Sequence, residues 1–537
     1  MLLFLVKLRK RATGSNIKQI QHGAYTPPPL RPLAGEHRVP EAQTPGLRRG
    51  REAVCRHDGV NRTAQAFFVA VLIHPVIVAF TRLATQRASG SRPALGLSKG
   101  ACPVCQALPQ YSSPVIASSV RVRRTYYVLT AGNTLAASLI WGINTIFLLD
   151  AGLTNLEAFA ANAFYTAGMV IFEIPTGIVA DTWGRRTSFL CGTLTLALTT
   201  GLYVLLWQWH SPFVWWAIVS ALLGLGFTFF SGATEAWLVD ALTATRFDGV
   251  LESVLSRGQV ISGIALLVGS VGGGYLAQLT NLGVPYVVRA AILVVVFFVA
   301  LLVMHDLGFT PQRANGLISE IKQISRSSLD NGLRVPPIRA IMLSALFTGG
   351  VGIYVFYALQ PYLLELWGDP RAYGIAGLAA AIVAGAQIVG GLLVPRVRRL
   401  YRRRTSALLV LQTINIAMLV LIGLIGSFWV VIALIVVWQL AATASLPIRQ
   451  AYLNGMIPSE QRATILSFDS LMSSAGGIVI QPALGRAADV WNYAVSYLFA
   501  AAISACALPF LFRAQQLAAP ADTASSPTDQ PQAQPSK

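Results

Sequence analysis

Long apolar runs separated by short polar segments dominate the chain from Arg121 onward. Most runs reach the roughly 20 residues that an α-helix needs to cross the ~30 Å hydrocarbon core of a bilayer. A transmembrane β-barrel would instead show alternating segments of about ten residues. The pattern therefore predicts an all-α integral membrane protein with twelve transmembrane helices. The predicted spans are at about 126–149, 158–180, 188–208, 213–239, 255–279, 286–305, 339–364, 373–395, 405–425, 428–453, 465–487 and 491–512.

The twelve spans divide into two blocks of six that share local sequence. Glu235-Ala-Trp-Leu238 ends the fourth span, and Gln450-Ala-Tyr-Leu453 ends the tenth. Val254-Leu-Ser256 opens the fifth span, and Ile465-Leu-Ser467 opens the eleventh. Repeats at corresponding places are typical of transporters whose site lies between two helical bundles. The predicted domains are an N-terminal six-helix bundle at 118–305, a cytoplasmic central loop at 306–338 and a C-terminal six-helix bundle at 339–512.

The two ends of the chain differ from this regular pattern. Residues 1–117 are rich in Arg, Pro, Ser and Gly and show no sustained helical period. We interpret them as a non-native extension from a misplaced gene start, or as a disordered extension. Cys102 and Cys105 form half of a zinc knuckle without a second pair, so no metal site is predicted. Residues 513–537 are polar and are predicted to form a disordered cytoplasmic tail.

Composition and charge support a membrane protein rather than a nucleic-acid-binding protein. The chain is 54% hydrophobic and 12% charged, against about 25% charged residues in an ordinary soluble protein. The net charge of +19 could suggest a nucleic-acid partner, but the basic residues cluster between the spans. Between residues 118 and 513, 21 basic residues fall on one side of the predicted bundle and three, Arg289, Arg371 and Arg486, on the other. This asymmetry predicts a plasma (inner) membrane protein with cytoplasmic N- and C-termini.

One motif lies between the second and third spans. It reads Gly177-Ile-Val-Ala-Asp181-Thr-Trp-Gly184-Arg185-Arg186. Its glycines suit a tight loop and a close helix approach, and Asp181 can pair with either arginine. The motif resembles the GxxxDxxGRR signature of the major facilitator superfamily, and the preceding Phe172-Glu-Ile-Pro-Thr-Gly177 resembles a bacterial branch of drug exporters. The resemblance covers about 120–512 and implies the major facilitator fold.

The resemblance also implies a role for the motif. In the family this loop is a latch for the outward-open state, a role that Asp181 and Arg185 would carry here. From the residues alone, a static staple that holds one loop is the alternative.

Carboxylates inside or near the spans are candidates for gating and coupling, because burying a charge in a membrane is costly. Glu173 lies eight residues before Asp181, about 12 Å along the helix. Burial there would favour a proton carrier or a partner for a cationic solute. The alternative is a gate residue that is hydrogen-bonded to a neighbouring helix.

Three further carboxylates lie close to the predicted cytoplasmic ends of the spans. Glu235 and Asp240 are expected to pair with Arg185, Arg186 or Arg257 as part of the gate. Asp469, at the start of the eleventh span, is expected to pair with Arg449 or Arg462.

The candidate cavity follows from the resemblance, because spans 1, 4, 7 and 10 line the central cavity in the family. Asn133, Trp141, Tyr357 and Gln360 are therefore expected to face it. Their aromatic and amide groups suit an amphipathic organic solute, although each is equally compatible with helix packing.

The leading interpretation is a secondary active transporter that moves a small organic solute by alternating access. Proton-coupled efflux of hydrophobic or drug-like compounds is favoured, by a monomer in a lipid bilayer that needs no cofactor. Two departures from the family weigh against proton antiport: Ser220 stands where an Arg is frequent, and the glycines from Gly269 to Gly274 lack the usual proline. Nutrient uptake by a facilitator or symporter, a multispan membrane enzyme and a non-transporting sensor stay open, the enzyme disfavoured because no catalytic constellation is visible.

Overall fold

The structure, a computed structural model, describes residues 119–311, 333–457 and 462–523. The predicted extension at 1–117, most of the central loop and residues 524–537 lie outside the described residues. Within the described ranges the regular secondary structure is helical. The helices are α1 (Ser119–Trp141), α2 (Asn144–Asp150), α3 (Asn155–Trp183), α4 (Arg185–Gln208), α5 (Phe213–Thr228), α6 (Ala233–Ala244), α7 (Leu251–Leu279), α8 (Gly283–Val303), α9 (Pro336–Trp367), α10 (Tyr373–Leu400), α11 (Arg404–Leu424), α12 (Phe428–Asn454), α13 (Arg462–Val490), α14 (Tyr493–Ala505) and α15 (Leu508–Gln516).

Each of the twelve predicted spans has a helical counterpart, and three of the spans consist of two helices. The first span bends by 49° between α1 and α2. The fourth is interrupted between α5 and α6, where Gly232 has a φ of +66°. The twelfth is interrupted between α14 and α15, where Pro509 occupies the first turn of the new helix. These interruptions lie where glycine and proline disfavour a continuous helix.

Length and composition support most of these spans as membrane-crossing segments. In the described part of the chain, ten helical segments are long and apolar enough, and eleven if α1 and α2 form one span. α13, which has 29 residues, is not among the segments that meet both criteria within this part of the chain. The result is consistent with the predicted twelve spans and confirms the all-helical membrane fold.

Local sequence explains where several helices begin. The Thr154 side chain accepts a hydrogen bond from the Glu157 amide, and the Glu157 carboxylate accepts one from the Thr154 amide, which together cap α3. Pro336 stands at the start of α9, where its missing N–H costs nothing. The Asn492 side chain caps α14 through the Val495 amide.

The two six-span bundles meet along two helix pairs, α3 with α13 and α7 with α10. Each pair joins the second span of one half to the fifth span of the other, as expected for duplicated halves. α7 and α10 approach closely at two glycines: a Cβ on Gly274 would lie 2.7 Å from the Tyr373 carbonyl oxygen, and one on Gly377 would lie 2.5 Å from that of Ser270. Small residues therefore set the distance between the bundles here.

The start of the predicted disordered tail needs correction. Residues 513–523 are ordered: α15 extends to Gln516, and a short 3-10 helix follows at Pro520–Asp522. Asp522 is 1% exposed, and its carboxylate accepts hydrogen bonds from the Thr405 amide at 2.7 Å and the Thr405 hydroxyl at 2.8 Å. The carboxylate thus caps the beginning of α11. This contact explains why the segment is ordered although its composition is polar.

Candidate functional site

The motif at residues 177–186 contains the tight turn between α3 and α4. α3 ends at Trp183 and α4 begins at Arg185, so Gly184 alone joins them. Its φ of +106° is unfavourable for a residue with a Cβ atom. The predicted ion pair forms across this turn, with Arg185 Nη1 2.6 Å from Asp181 Oδ1. Both partners belong to the N-terminal bundle, so this ion pair does not join the two bundles.

A carboxylate that the sequence analysis did not include completes the turn. Asp306 follows α8, and its Oδ1 accepts a hydrogen bond from the Arg186 amide at 2.8 Å. A Cβ atom on Gly184 would clash with Asp306 Oδ2, so glycine leaves the room that this carboxylate needs. Burial raises the pKa of Asp306, while the hydrogen bond and the charge of Arg186 oppose the shift. The segment after α8 is thus fastened to the start of α4.

Four other predicted gate residues lie differently from the expectation. A Cβ on Gly177 would meet no described atom within 4 Å, so Gly177 does not mark a close helix approach. Glu235 and Arg257 are exposed and Asp240 is half-buried. None of these three forms an ion pair with another described residue. The predicted pairing with the motif arginines is therefore not found, because the two carboxylates described above already hold the turn.

The C-terminal bundle has its own buried ion pair. Arg449 Nη2 lies 2.5 Å from Asp469 Oδ1, which agrees with the first of the two partners expected for Asp469. The same Nη2 donates to the Ile341 carbonyl at 3.2 Å. Asp469 is 7% exposed, so the pair connects α9, α12 and α13 in an environment where an unpaired charge would be costly.

Glu173 is exposed and hydrogen-bonded, rather than buried as expected. Its Oε1 accepts a hydrogen bond from the Ser231 hydroxyl at 2.6 Å. Ser231 lies in the interruption between α5 and α6, so the contact joins the second and fourth spans. This geometry matches the alternative of a residue bonded to a neighbouring helix, and the coupling role of Glu173 stays a prediction.

A cavity of about 220 Å³ lies largely within the N-terminal bundle and reaches the seventh span at Tyr357. Trp141 and Tyr357 line it, as expected. Asn133 is half-buried and is not among the described lining residues. Most of the wall is aromatic, apolar or amide-bearing, so the cavity suits the apolar body of a small organic molecule.

Gln360 joins the two bundles instead of lining this cavity. Its Nε2 donates to the Trp141 carbonyl at 2.9 Å, and its Oε1 accepts from the Thr145 amide at 2.9 Å. Gln360 is 3% exposed. Because both of its partners flank the bend in the first span, this side chain fixes the seventh span against that bend.

Further hydrogen bonds between the bundles lie at the same end, which we call the far end because it is opposite the motif. The two Asp489 carboxylate oxygens accept hydrogen bonds from the amides of Asn155 and Leu156, at 2.9 and 2.8 Å. Gln278 Oε1 accepts a hydrogen bond from the Gly374 amide at 2.8 Å. The far end is therefore closed across the interface between the bundles.

Two buried donors in the cavity wall were missed by the sequence analysis. Arg289 was counted as a topology signal, but it lies in α8, lines the cavity and is 2% exposed. Its Nε has no hydrogen-bond partner among the described residues. Asn162 is 4% exposed, and its Nδ2 likewise lacks a partner in the described ranges, whereas its Oδ1 accepts from Asn144 Nδ2 at 2.9 Å. The sequence does contain a signal for Arg289, because a single arginine within an apolar run is a functional candidate in a membrane.

Comparisons with known proteins agree with this architecture. The sequence model of the Major Facilitator Superfamily matches residues 126–419 and 342–536. An uncharacterized MFS-type transporter of Methanocaldococcus jannaschii is 19% identical over 383 residues, which cover 70% of this chain and 94% of the relative. Another, from Bacillus subtilis, is 22% identical over 369 residues, which cover 66% of this chain and 86% of the relative.

Solved structures share the fold at low sequence identity. The nucleoside transporter NupG matches with a TM-score of 0.60 and 12% identity, covering 74% of this chain and 99% of its own. A bacterial homologue of the human lysosomal transporter Spinster, in an inward-facing and unoccupied conformation, matches with a TM-score of 0.58 and 15% identity, covering 77% of this chain and 100% of its own.

Proposed function

Since the chain belongs to the major facilitator superfamily, a family of non-enzymatic transporters, we propose that it is a secondary active transporter that moves a small organic solute by alternating access. The proposed direction is export of amphipathic, drug-like compounds from the cytoplasm, driven by protons. The proposed location is the plasma membrane, with both termini cytoplasmic.

The observation that carries the proposal is a cavity beside an interface that is closed at one end. The hydrogen bonds described between the bundles lie at the far end. At the motif end, the ion pairs Asp181–Arg185 and Arg449–Asp469 each lie within a single bundle. A carrier that works by alternating access exposes its cavity to one side at a time, so the contacts between its bundles must differ between the two ends.

The distribution of basic residues supports a cytoplasmic motif end. Arg185 and Arg186 lie there, as do Arg396 to Arg404 after the eighth span. With this orientation we infer an inward-facing state for this chain, the conformation that is named for the Spinster homologue. In that state the motif turn would be free of the other bundle, and it would act as a latch only in the opposite state.

Proton coupling is proposed to run through Glu173. Its carboxylate contacts Ser231 in the interruption of the fourth span, so a change in its protonation would alter a contact between two helices. One proton crossing 100 mV supplies about 2.3 kcal/mol, which supports roughly a 50-fold solute gradient.

Flux measured in everted membrane vesicles tests this proposal. Acidification of the vesicle interior should drive accumulation of 1-naphthoate or of its neutral analogue 1-naphthamide, and collapse of the pH gradient should abolish it. Glu173→Gln should reduce this accumulation about tenfold or more. Glu252→Gln is the matched control, because Glu252 is an exposed carboxylate in the first turn of α7.

Three results would contradict parts of the proposal. An unchanged gradient dependence in Glu173→Gln would make Glu173 a structural residue. Uptake with protons into right-side-out vesicles would indicate nutrient symport instead of export. Specific binding of a probe without flux in either vesicle orientation would indicate a sensor.

A further inference from the structure

We propose that Arg289 and Asn162 form a subsite for the carboxylate of the solute, and hence that the transported compound is an amphipathic organic monoanion. The inference rests on the proposed transport function and narrows its substrate class. It begins from two buried donors that line one cavity and lack partners within the described part of the chain.

The two donors lie at similar depths. Arg289 is six residues after the start of α8, and Asn162 is seven residues after the start of α3. At 1.5 Å per residue, both lie about 9–10 Å along their helices from the far end. Both side chains line the same cavity, and the proposed subsite requires that one group of the solute receives hydrogen bonds from both.

The charge of Arg289 has no counterion among the described residues of the cavity wall. None of the described residues that line it is acidic, and Arg289 forms no ion pair with a described residue. Its electrostatic neighbours are four tyrosines, at 165, 203, 286 and 357. Burying a guanidinium without an anion is costly, and a carboxylate that accepts from it offsets this penalty.

A chain of hydrogen bonds fixes the orientation of the Asn162 amide, so that its donor is available to the same anion. The Tyr286 hydroxyl donates to Asn144 Oδ1 at 3.0 Å, and Asn144 Nδ2 donates to Asn162 Oδ1 at 2.9 Å. Both amide oxygens in this chain accept a hydrogen bond, so the group left over at Asn162 is the Nδ2 donor. A second donor beside a guanidinium selects an acceptor-rich anion rather than a cation.

The other residues of the cavity wall indicate the chemistry of the rest of the solute. Trp141, Tyr165, Phe227 and Tyr357 supply aromatic surface, which favours an aromatic or apolar body. One guanidinium balances one negative charge, so a monoanionic carboxylate fits better than a dianionic phosphate. The paired complex is neutral, which lowers the electrostatic penalty when the cavity closes around it.

Titration calorimetry on the purified full chain in nanodiscs tests the subsite with four probes. These are 1-naphthoate, its neutral isostere 1-naphthamide, the cation 1-naphthylmethylamine and the dianion 1-naphthyl phosphate. The naphthoate should bind at least about tenfold more tightly than the amide, since hydrogen bonds to charged groups are stronger than neutral ones. Equal affinities for naphthoate and naphthamide, or tighter binding of the amine or the phosphate, would overturn the assignment.

Variants locate the preference within the cavity. Arg289→Gln should lower naphthoate affinity to that of the amide, and Arg289→Lys should restore part of it. Asn162→Asp should also remove the preference, because the new carboxylate would pair with Arg289. Arg486→Gln, at an exposed arginine of α13, is the matched control. Retained naphthamide binding and an unchanged Tm show that each variant is folded, and wild-type naphthoate affinity in folded Arg289→Gln would overturn the proposal.

The flux assay separates this inference from the function on which it rests. Transport of naphthoate and naphthamide at equal rates and affinities would leave the transporter intact and refute the subsite. Arg289-dependent binding of naphthoate without flux would support the subsite and refute the transport function.

Discussion

The two ends of the molecule are held in different ways. At the motif end, Asp181, Arg185 and Asp306 stabilise a turn within the N-terminal bundle. At the far end, Asp489 and Gln360 connect one bundle to the other. The contacts that stiffen each bundle are therefore separate from those that close the cavity.

This separation suits a rocking motion of two rigid units. The far-end contacts can break without damage to the helices they hold, because α3 keeps its own cap. When Asp489 is removed, Thr154 still accepts from the Glu157 amide, and the exposed contact lets water replace Asp489 at the amides of Asn155 and Leu156. The difference between the ends predicts that mutations at the motif turn act mainly on stability, and mutations at the far end mainly on the balance between states.

The largest effect is expected for Gly184→Ala. The substitution combines an unfavourable positive φ with a clash against Asp306. Backbone strain of about 1–3 kcal/mol and loss of a hydrogen bond to a carboxylate, worth about 1.5–3 kcal/mol, should lower the Tm clearly and reduce flux more than tenfold. Gly177→Ala is the matched control in the same motif, since a Cβ atom there would lie within 4 Å of no atom in the described ranges. Similar Tm values for both variants would show that the turn is not constrained as described.

A smaller effect, on conformation rather than on stability, is expected for Asp489→Ala. The variant loses two hydrogen bonds from the amides of Asn155 and Leu156. Because these contacts are exposed, we expect a population shift of about tenfold toward a state that is open at the far end. Distances between spin labels on the loops at 150–154 and 367–372 measure it.

The control for this variant is Asp369→Ala, because the Asp369 carboxylate lies at the same end but bonds within its own loop, to the Arg371 amide. A distance distribution in Asp489→Ala that equals those of the control and the wild type would mean that Asp489 does not hold the far end closed.

The sequence predicted the elements well and the contacts between them less well. The spans follow from local hydropathy, and the Asp181–Arg185 pair follows from a separation of four residues. Arg289 was misassigned because the predicted sixth span began at 286, whereas α8 begins at Gly283, which places this arginine three residues deeper in the helix. The Asp522–Thr405 cap joins residues 117 positions apart, and no local pattern reports such a contact.

The site shows the same limit. Trp141 and Tyr357 were expected in the cavity and lie there, but Gln360 points to a bundle contact that only the packing of the first span reveals. Asp306 lies outside the motif in sequence and completes it in space, because the end of α8 returns to the start of α4. Side chains that act between elements need the fold, whereas those within one element do not.

The smallest predicted effect concerns pH at the motif turn. Burial raises the pKa of Asp306 above its ordinary value of 3.8, so the folded state favours the protonated carboxyl more than the unfolded chain does. The penalty for the ionised form is present in full above the raised pKa, and it fades as the pH falls toward 3.8.

Asp306→Asn keeps an oxygen that accepts from the Arg186 amide but removes the charge. Other carboxylates titrate in the same range, so the measured quantity is the difference in Tm between wild type and Asp306→Asn from pH 7 to pH 5. The Tm of the wild type should rise relative to that of Asp306→Asn as the pH falls. The same comparison with Asp248→Asn, at an exposed loop position, should show no such trend. A difference that stays constant or widens on acidification would mean that the hydrogen bond from Arg186 outweighs burial, and that the charge of Asp306 strengthens the turn instead of weakening it.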